Sequence, residues 1–365
     1  MSWSYPAPLS AAQLAGIVSL PQLDALARRD LPAMAFEYVD SGAADEVTLR
    51  WNRTAYERIR LRPRVLEPLG PVDTRVTLCG MELPHPILLA PTAYQRLLHP
   101  EGEAATARGA AAAGALYVVS TQTTVPIEEI VAAGAASAGR LWFQLYVQLE
   151  REVTHALVER VEAAGCGALV VTVDTASLGA RDRQRLAGFH LPPGIELPHA
   201  HDFSTGVRTF ASPQRTALTW DDVAWLRSVA RVPVILKGIL TGDDAARALD
   251  AGVAGIIVSN HGARNLDTLP ATIDALPEVA ARVQRRIPVL VDGGIRRGTD
   301  IIKAIALGAD AVLIGRPYLW GLGLAGAEGV RHAIEILRAE LEIAMALVGR
   351  ASLATLDRGV LWDAD

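Results

Sequence analysis

Near residue 260 the chain reads Ser259-Asn-His-Gly-Ala-Arg-Asn-Leu-Asp267. A histidine three residues before an arginine, just past an apolar run, can set a general base (His261) beside a carboxylate clamp (Arg264). A loop histidine and a surface arginine are the plainer alternative. Farther on, Asp292-Gly-Gly-Ile-Arg296 and Gly315-Arg316 each close another apolar run. Glycines let backbone N–H groups approach an anion, and two guanidiniums add charge and bidentate donors, so the two segments read as a phosphate site. Tight turns with surface arginines would leave the same pattern. Of 35 basic residues only Lys237 and Lys303 are lysine. Lys237 ends a further run, where an ammonium could form a Schiff base, bind phosphate or stabilise an anion on a cofactor. Lys303 falls in a predicted helix, Thr299–Leu307, and is expected in a surface or supporting ion pair.

These groups need a frame. Short β-branched, apolar runs begin at Pro86, Ala115, Leu141, Ala168, Pro233, Gly255, Pro288 and Ala311, each followed by a segment able to form a helix. Eight strands buried on both faces and alternating with helices predict an α/β fold, the parallel (β/α)8 TIM barrel. A doubly wound sheet would carry a Gly-rich turn after its first strand, and Ala90-Pro-Thr-Ala-Tyr94 offers none. Thr219 and Thr241 open helices with a hydroxyl cap and early acids. The chain reads as a single domain, 1–365. Residues 1–85 form an N-terminal extension with helical patterning in Leu20–Arg28 and Leu31–Ser41. Residues 86–365 form the barrel and closing helices, the last over Gly326–Leu347. The stretch Ala176–Leu218, after the fourth strand, is a long loop of the kind that usually carries function.

Barrel active sites lie at the C-terminal ends of the strands. Here the first four ends are Ala93, Ser120, Gln144 with Tyr146, and Thr172 with Asp174. The last four are Lys237, Ser259 with His261 and Arg264, Asp292 with Arg296, and Gly315 with Arg316. All are polar, charged or small, and a purely structural barrel needs none of them there.

Composition removes other classes. Of 365 residues, 50% are hydrophobic and 21% charged, with a net charge of −5, which is a globular chain. No dense basic tract points to nucleic acid or an anionic membrane. Two cysteines, Cys79 and Cys166, exclude a disulfide scaffold, and the eight histidines lack ligand spacing, so no metal is expected. No apolar run approaches the ~18 residues of a membrane span, and the N-terminus lacks signal-peptide character. A cytoplasmic protein is the expectation.

The chain resembles the FMN-dependent L-2-hydroxy acid oxidases and dehydrogenases, a family that includes glycolate oxidase, lactate oxidase, mandelate dehydrogenase and hydroxymandelate oxidase. The resemblance begins at Phe36-Glu-Tyr-Val-Asp-Ser-Gly-Ala43 and runs through Ala90-Pro-Thr-Ala93, His99-Pro-Glu-Gly-Glu103, Phe143-Gln-Leu-Tyr146 and Leu236-Lys-Gly238. It ends in Val291-Asp-Gly-Gly-Ile-Arg296 and Ile314-Gly-Arg-Pro317. The motifs SNHG-x-R, DGG-x-R and IGRP, together and in order, are specific. The resemblance implies FMN as cofactor and oxidation of an (S)-2-hydroxy acid to a 2-oxo acid, with O2 as acceptor giving hydrogen peroxide. It also implies a homotetramer.

The same resemblance implies roles. His261 would be the base, Asp174 its partner, and Arg181 and Arg264 the clamp on the substrate carboxylate, assisted by Tyr38 and Tyr146. Lys237 would lie near flavin N1 and O2, where a compact ammonium suits better than a planar guanidinium. Thr92, Ala93, Ser120, Gln144, Thr172 and Ser259 would contact the flavin. Asp292, Gly294, Arg296, Gly315 and Arg316 would take the ribityl chain and phosphate. The extension would deliver Tyr38 over the mouth, which a simple bottom plug would not do. Tyr94 and Gln122 stand where glycolate oxidases tend to have Met and Trp, which puts the substrate side chain in doubt and tilts it toward aromatic. The loop Ala176–Leu218 is shorter than in glycolate oxidase. Asn265 replaces a frequent Gln, with little change expected. Ala93, where dehydrogenases commonly have Gly, favours an oxidase. A dehydrogenase with another electron acceptor, a flavin-dependent barrel isomerase and a non-catalytic flavoprotein are the alternatives.

Overall fold

The computed structural model describes residues 3–135, 140–148, 150–199 and 218–362. Eight parallel strands close a barrel: β1 (Ile87–Leu89), β2 (Tyr117–Ser120), β3 (Leu141–Leu145) and β4 (Leu169–Thr172), then β5 (Val234–Ile239), β6 (Gly255–Val258), β7 (Val289–Asp292) and β8 (Ala311–Ile314). Each pairs with the next, and β8 pairs with β1 through Leu313↔Leu88, so the sheet has no edge. All eight runs read from the sequence are strands. Part of the long loop, residues 200–217, lies outside the described residues. Among the described residues no helix is long and apolar enough to cross a membrane.

Strand periodicity of two decides what faces the barrel axis. Leu88, Val118, Trp142, Val170, Ile235, Ile257, Leu290 and Leu313 form one inner cluster, separate from the larger shell between strands and helices. Two residues further along each strand the same face carries Ala90, Ser120, Gln144, Thr172, Lys237, Ser259, Asp292 and Gly315. The polar strand ends therefore continue the core upward into the mouth. For the first strand the inward position is Ala90; Ala93 lies past it, on the loop.

The extension is used at both ends of the barrel. A hairpin, Val76–Leu78 with Met81–Leu83, sends Leu78 and Leu83 into the inner cluster beside Leu116, Ala168 and Ala311 at the strand starts. It is a bottom plug. At the other end come helices α1 (Ala11–Ala15), α2 (Leu20–Asp30), α3 (Ala33–Asp40) and α4 (Val47–Arg58). Helix α3 buries Tyr38 at the mouth. The extension thus plugs and delivers, where the sequence suggested a choice between the two.

Helix α4 had no signature in the sequence. Its Val47-Thr48 start is β-branched, and its N-cap residue, Glu46, sits at φ 57 with no side-chain cap. The cap comes instead from Asp267, whose carboxylate accepts from Val47 N at 3.1 Å and Thr48 N at 2.8 Å. A cap supplied from a distant loop is invisible to local reading. Lys303 also departs from expectation. Among the described residues it forms no ion pair; it donates at 2.8 Å to the Tyr56 carbonyl in the last turn of α4, a C-terminal cap for that helix. The two helices opened by Thr219 and Thr241 form as predicted, over Trp220–Val229 and Gly242–Asp250. The closing helix begins earlier than predicted, at Arg316, and runs to Leu347 with a break at Ala325 and Gly326.

Candidate active site

An open cleft of about 1240 Å3 occupies the barrel mouth. On its floor, Lys237 Nζ donates to Ser259 Oγ at 2.8 Å, and Ser259 Oγ donates to Asp292 Oδ2 at 2.8 Å. The ammonium lies 3.2 Å from that same carboxylate oxygen. Burial alone would lower the Lys237 pKa, but Asp292 and Asp174 outweigh it and the net shift is upward. Lys237 is therefore a permanent buried cation, not a neutral amine poised for a Schiff base. Ser259, expected as a ligand contact, lies fully buried beneath the cleft and accepts from His261 N at 3.1 Å. It positions its neighbours.

β5 bends immediately after Lys237. Gly238 adopts φ 114, and a Cβ there would stand 2.6 Å from Asp174 Cβ, so only glycine lets Asp174 pass. Asp174 Oδ1 then meets His261 Nδ1 at 2.9 Å. With Nδ1–H donating to the carboxylate, Nε2 carries the lone pair. Burial lowers the His261 pKa and prevails over Asp174, so the imidazole is neutral near pH 7. Burial opposes ionisation of Asp174 as well, yet His261 and Lys237 prevail and hold its carboxyl below the usual range. Asp174 itself stands behind the imidazole rather than on the cleft wall.

The turn bearing His261 is strained. His261, Gly262 and Ala263 adopt φ values of 59, 62 and 62 in succession, a left-handed path costing ~1–2 kcal/mol for each non-glycine residue. Asn260 holds the turn, its Oδ1 accepting from Ala263 N at 3.2 Å.

Arg181, Arg264, Arg296 and Arg316 all line the cleft, and none forms an ion pair with a carboxylate among the described residues. Burial lowers Arg264 and Arg296 to about 9, reinforced by neighbouring guanidiniums. Arg264 donates to the carbonyls of Val39 at 3.3 Å and Ser41 at 2.8 Å and sits 5.1 Å over the Tyr38 ring. Arg316 grips the carbonyls of Val39, Ser41 and Gly262. Four half-buried guanidiniums without carboxylates define sites for anions.

The remaining predicted residues divide. Tyr38, Thr92, Ala93, Gln122, Tyr146 and Thr172 line the cleft, as do Ser120, Gln144, Asp292, Gly294 and Gly315. Tyr94 does not. It stacks against Tyr38 at 5.4 Å and Phe189 at 6.2 Å, one ring behind the wall. Gly294 lines the cleft, but its missing side chain serves packing. A Cβ there would fall 1.7 Å from the Asn52 carbonyl oxygen, at φ 84.

Residues 27–363 match the family described as FMN-dependent dehydrogenase. The chain belongs to that family. Among its relatives is an L-lactate oxidase of Nostoc sp., 49% identical over 94% of this chain and 98% of that one. A peroxisomal (S)-2-hydroxy-acid oxidase of Oryza sativa subsp. japonica is 47% identical, over 93% and 94%. A mandelate oxidase solved with (S)-2-phenylpropionate is 44% identical, with a TM-score of 0.87 over 95% of this chain and 98% of that one.

The cleft fits the FMN of this family. Gln144 Oε1 accepts from Ser120 Oγ at 3.1 Å and Thr121 N at 3.3 Å, which leaves Nε2 buried with no partner. Asp292 Oδ1 is likewise buried and unpartnered. A flavin ring has acceptor and donor edges for such groups, and its phosphate needs unpaired guanidiniums. Both are here.

Several supporting residues escaped the sequence reading. Asn52 from α4 bonds to Asn260. Thr175 Oγ1 donates to Asp174 Oδ1 at 3.0 Å, and Phe189 stacks on Tyr38 at 4.5 Å. Only Thr175, adjacent to Asp174, carried a signal that spacing could have exposed.

Proposed function

We propose that this chain oxidises an (S)-2-hydroxy acid to the corresponding 2-oxo acid. The observation that carries the reading is the His261 imidazole held at 2.9 Å by the Asp174 carboxylate in one cleft with guanidiniums that have no carboxylate partner among the described residues. Bound FMN would supply the two-electron chemistry, taking up two electrons and one of the two substrate protons, and O2 would receive both electrons with both protons, the second from His261, to leave as hydrogen peroxide. Arg181 and Arg264 bind the substrate carboxylate, with the Tyr38 and Tyr146 hydroxyls assisting. His261 Nε2 takes a proton from the substrate, and Asp174 stabilises the imidazolium through Nδ1–H. Arg296 and Arg316, with backbone at Gly294 and Gly315, hold the phosphate. Lys237 supplies fixed positive charge where the bound ring becomes negative, an electrostatic term that needs no reorganisation. Thr92, Ala93, Ser120, Gln144 and Thr172 contact the ring and ribityl chain, with Ser259 behind them.

Relatives titled as lactate, (S)-2-hydroxy-acid and mandelate oxidases support oxidase over dehydrogenase chemistry, as does Ala93. The aromatic face of Tyr38 on the cleft wall, backed by Phe189 and Tyr94, supports an apolar substrate side chain. A homotetramer and a cytoplasmic setting complete the reading, checked by light scattering and cell fractionation. The deciding experiment mixes the yellow protein anaerobically with glycolate, (S)-lactate and (S)-mandelate, then admits air. Bleaching followed by return of colour and peroxide is expected. Bleaching that air does not reverse points to another acceptor, and no bleaching with any acid refutes the reading.

A further inference from the structure

One side chain reaches from the turn that carries His261 to both Asp174 and Arg181 on the facing loop. Asn265 Nδ2 lies 3.0 Å from the Asp174 carbonyl oxygen, 3.4 Å from Asp174 Oδ1 and 3.0 Å from Thr175 Oγ1. Its Oδ1 accepts from Arg181 at 3.4 Å. Backbone contacts hold the same seam. Arg181 Nε donates to the Arg264 carbonyl at 3.1 Å, and a Cβ at Gly179 would stand 2.2 Å from the Asn265 carbonyl oxygen. The seam has no room to slide, so the amide stays where both partners can reach it.

We infer that Asn265 is a positioning residue: its donor end fixes Asp174 against His261, and its acceptor end fixes Arg181 for the substrate carboxylate. The inference rests on the function proposed above. A primary amide carries a donor and an acceptor on one rigid plane and no charge. A carboxylate of the same shape keeps the acceptor and loses the donor; leucine loses both. Arg181 has no carboxylate partner among the described residues, so a neutral acceptor can orient it without competing with the substrate. An acidic side chain would compete.

Charge matters on the other side as well. The charged groups facing His261 are Asp174 beyond β4, Lys237 on β5 and Arg181 on the loop. Tyr146, beyond β3, faces Asp174. His261, Thr175 and Asn265 converge on Asp174 Oδ1, while Oδ2 is buried without a partner. The three donors therefore select which oxygen meets the imidazole. Asn265 is the neutral link in this set, and charging it changes the electrostatic sum with little change of shape.

The test compares Asn265→Asp, Asn265→Gln and Asn265→Leu holoenzymes. In Asn265→Asp, a carboxylate draws Arg181 from the substrate and adds negative charge near His261. The expected result is a KM raised about tenfold and an ascending limb of kcat/KM moved up by about half to one pH unit. The His261 imidazole, followed by NMR without substrate and assigned with His261→Asn, titrates higher by the same amount. Asn265→Gln keeps both ends and returns KM to within about threefold of wild type, whereas Asn265→Leu lowers kcat and raises KM together, with its thermal midpoint near wild type. A wild-type KM and pH midpoint in Asn265→Asp would overturn the inference. So would equal losses in all three variants that track a fall in thermal midpoint, the behaviour of a purely structural tie. The titration needs no turnover. An unmoved His261 resonance refutes the role of Asn265, whereas failure of every hydroxy acid to bleach wild type refutes the function.

Discussion

Asn52 and Asn260 exchange two side-chain hydrogen bonds, each 2.9 Å, with both residues buried. The pair joins α4 of the extension to the turn that holds His261 in a left-handed backbone. Asn52 Oδ1 also accepts from Thr272 N, and the Asn52 carbonyl abuts Gly294. One extension residue therefore braces both the acid–base turn and the phosphate-side turn. Asn52→Leu strips one hydrogen bond from each end of the buried Asn260 amide, which keeps only Ala263 N and the Pro270 carbonyl, and removes the acceptor of Thr272 N. We expect a loss of about 2 kcal/mol in denaturant unfolding and a kcat that falls more than KM rises. Unchanged kcat in a destabilised variant would confine Asn52 to stability.

Gly294→Ala probes the same contact from the other side. Its Cβ would collide with the Asn52 carbonyl, and φ 84 strains alanine further. Displacement of α4 should cost at least ~2 kcal/mol and weaken FMN retention on dialysis. A variant that unfolds and retains FMN like wild type would show that α4 yields freely.

Catalysis should follow the ionisation of His261. A base works as neutral imidazole, and burial sets its pKa below the ordinary 6.5. Activity is then full above that pKa and is lost as pH falls through it. The ascending limb of kcat/KM should have its midpoint below 6.5, and His261→Gln should abolish the limb together with most of the rate. A midpoint above 7 would mean that Asp174 outweighs burial.

Phosphate recognition can be separated from ring recognition. Arg296→Ala should weaken FMN binding to the apoprotein about 10- to 100-fold while leaving riboflavin affinity nearly unchanged, because only the phosphate loses a charge-assisted partner. Equal losses for both ligands would remove Arg296 from the phosphate site.

Lys237→Met removes the ammonium from a buried carboxylate. Asp292 then keeps a charge held only by Ser259, and stability should fall by ~3–5 kcal/mol in denaturant titration, with FMN bound more weakly. A variant as stable as wild type would show that the buried Asp292 side chain does not depend on Lys237.

Much of this molecule was legible without coordinates. Strand runs buried on both faces leave few folds open, and the closed parallel barrel is the one in which eight such strands need no edge. Strand periodicity then carries Ser120, Gln144, Thr172, Lys237 and Asp292 to the mouth with no further information. Ser259 shares that position, yet it holds its neighbours rather than facing the cleft. Tyr94 lies against Tyr38 and Phe189 for a related reason: place along the chain does not record whether another ring stands in front of it.

The sequence by itself determined the barrel and the ring of polar strand ends, because these depend on local periodicity and side-chain type, and it marked His261, Arg264, Arg296 and Arg316 as candidates. Tertiary structure alone decided how they are held. Asp267 capping α4, Lys303 closing it, Asn52 gripping Asn260 and Asn265 bridging Asp174 to Arg181 all join segments distant in the chain. Such contacts follow from where the folded backbone brings two groups within hydrogen-bond reach. No local pattern records that distance.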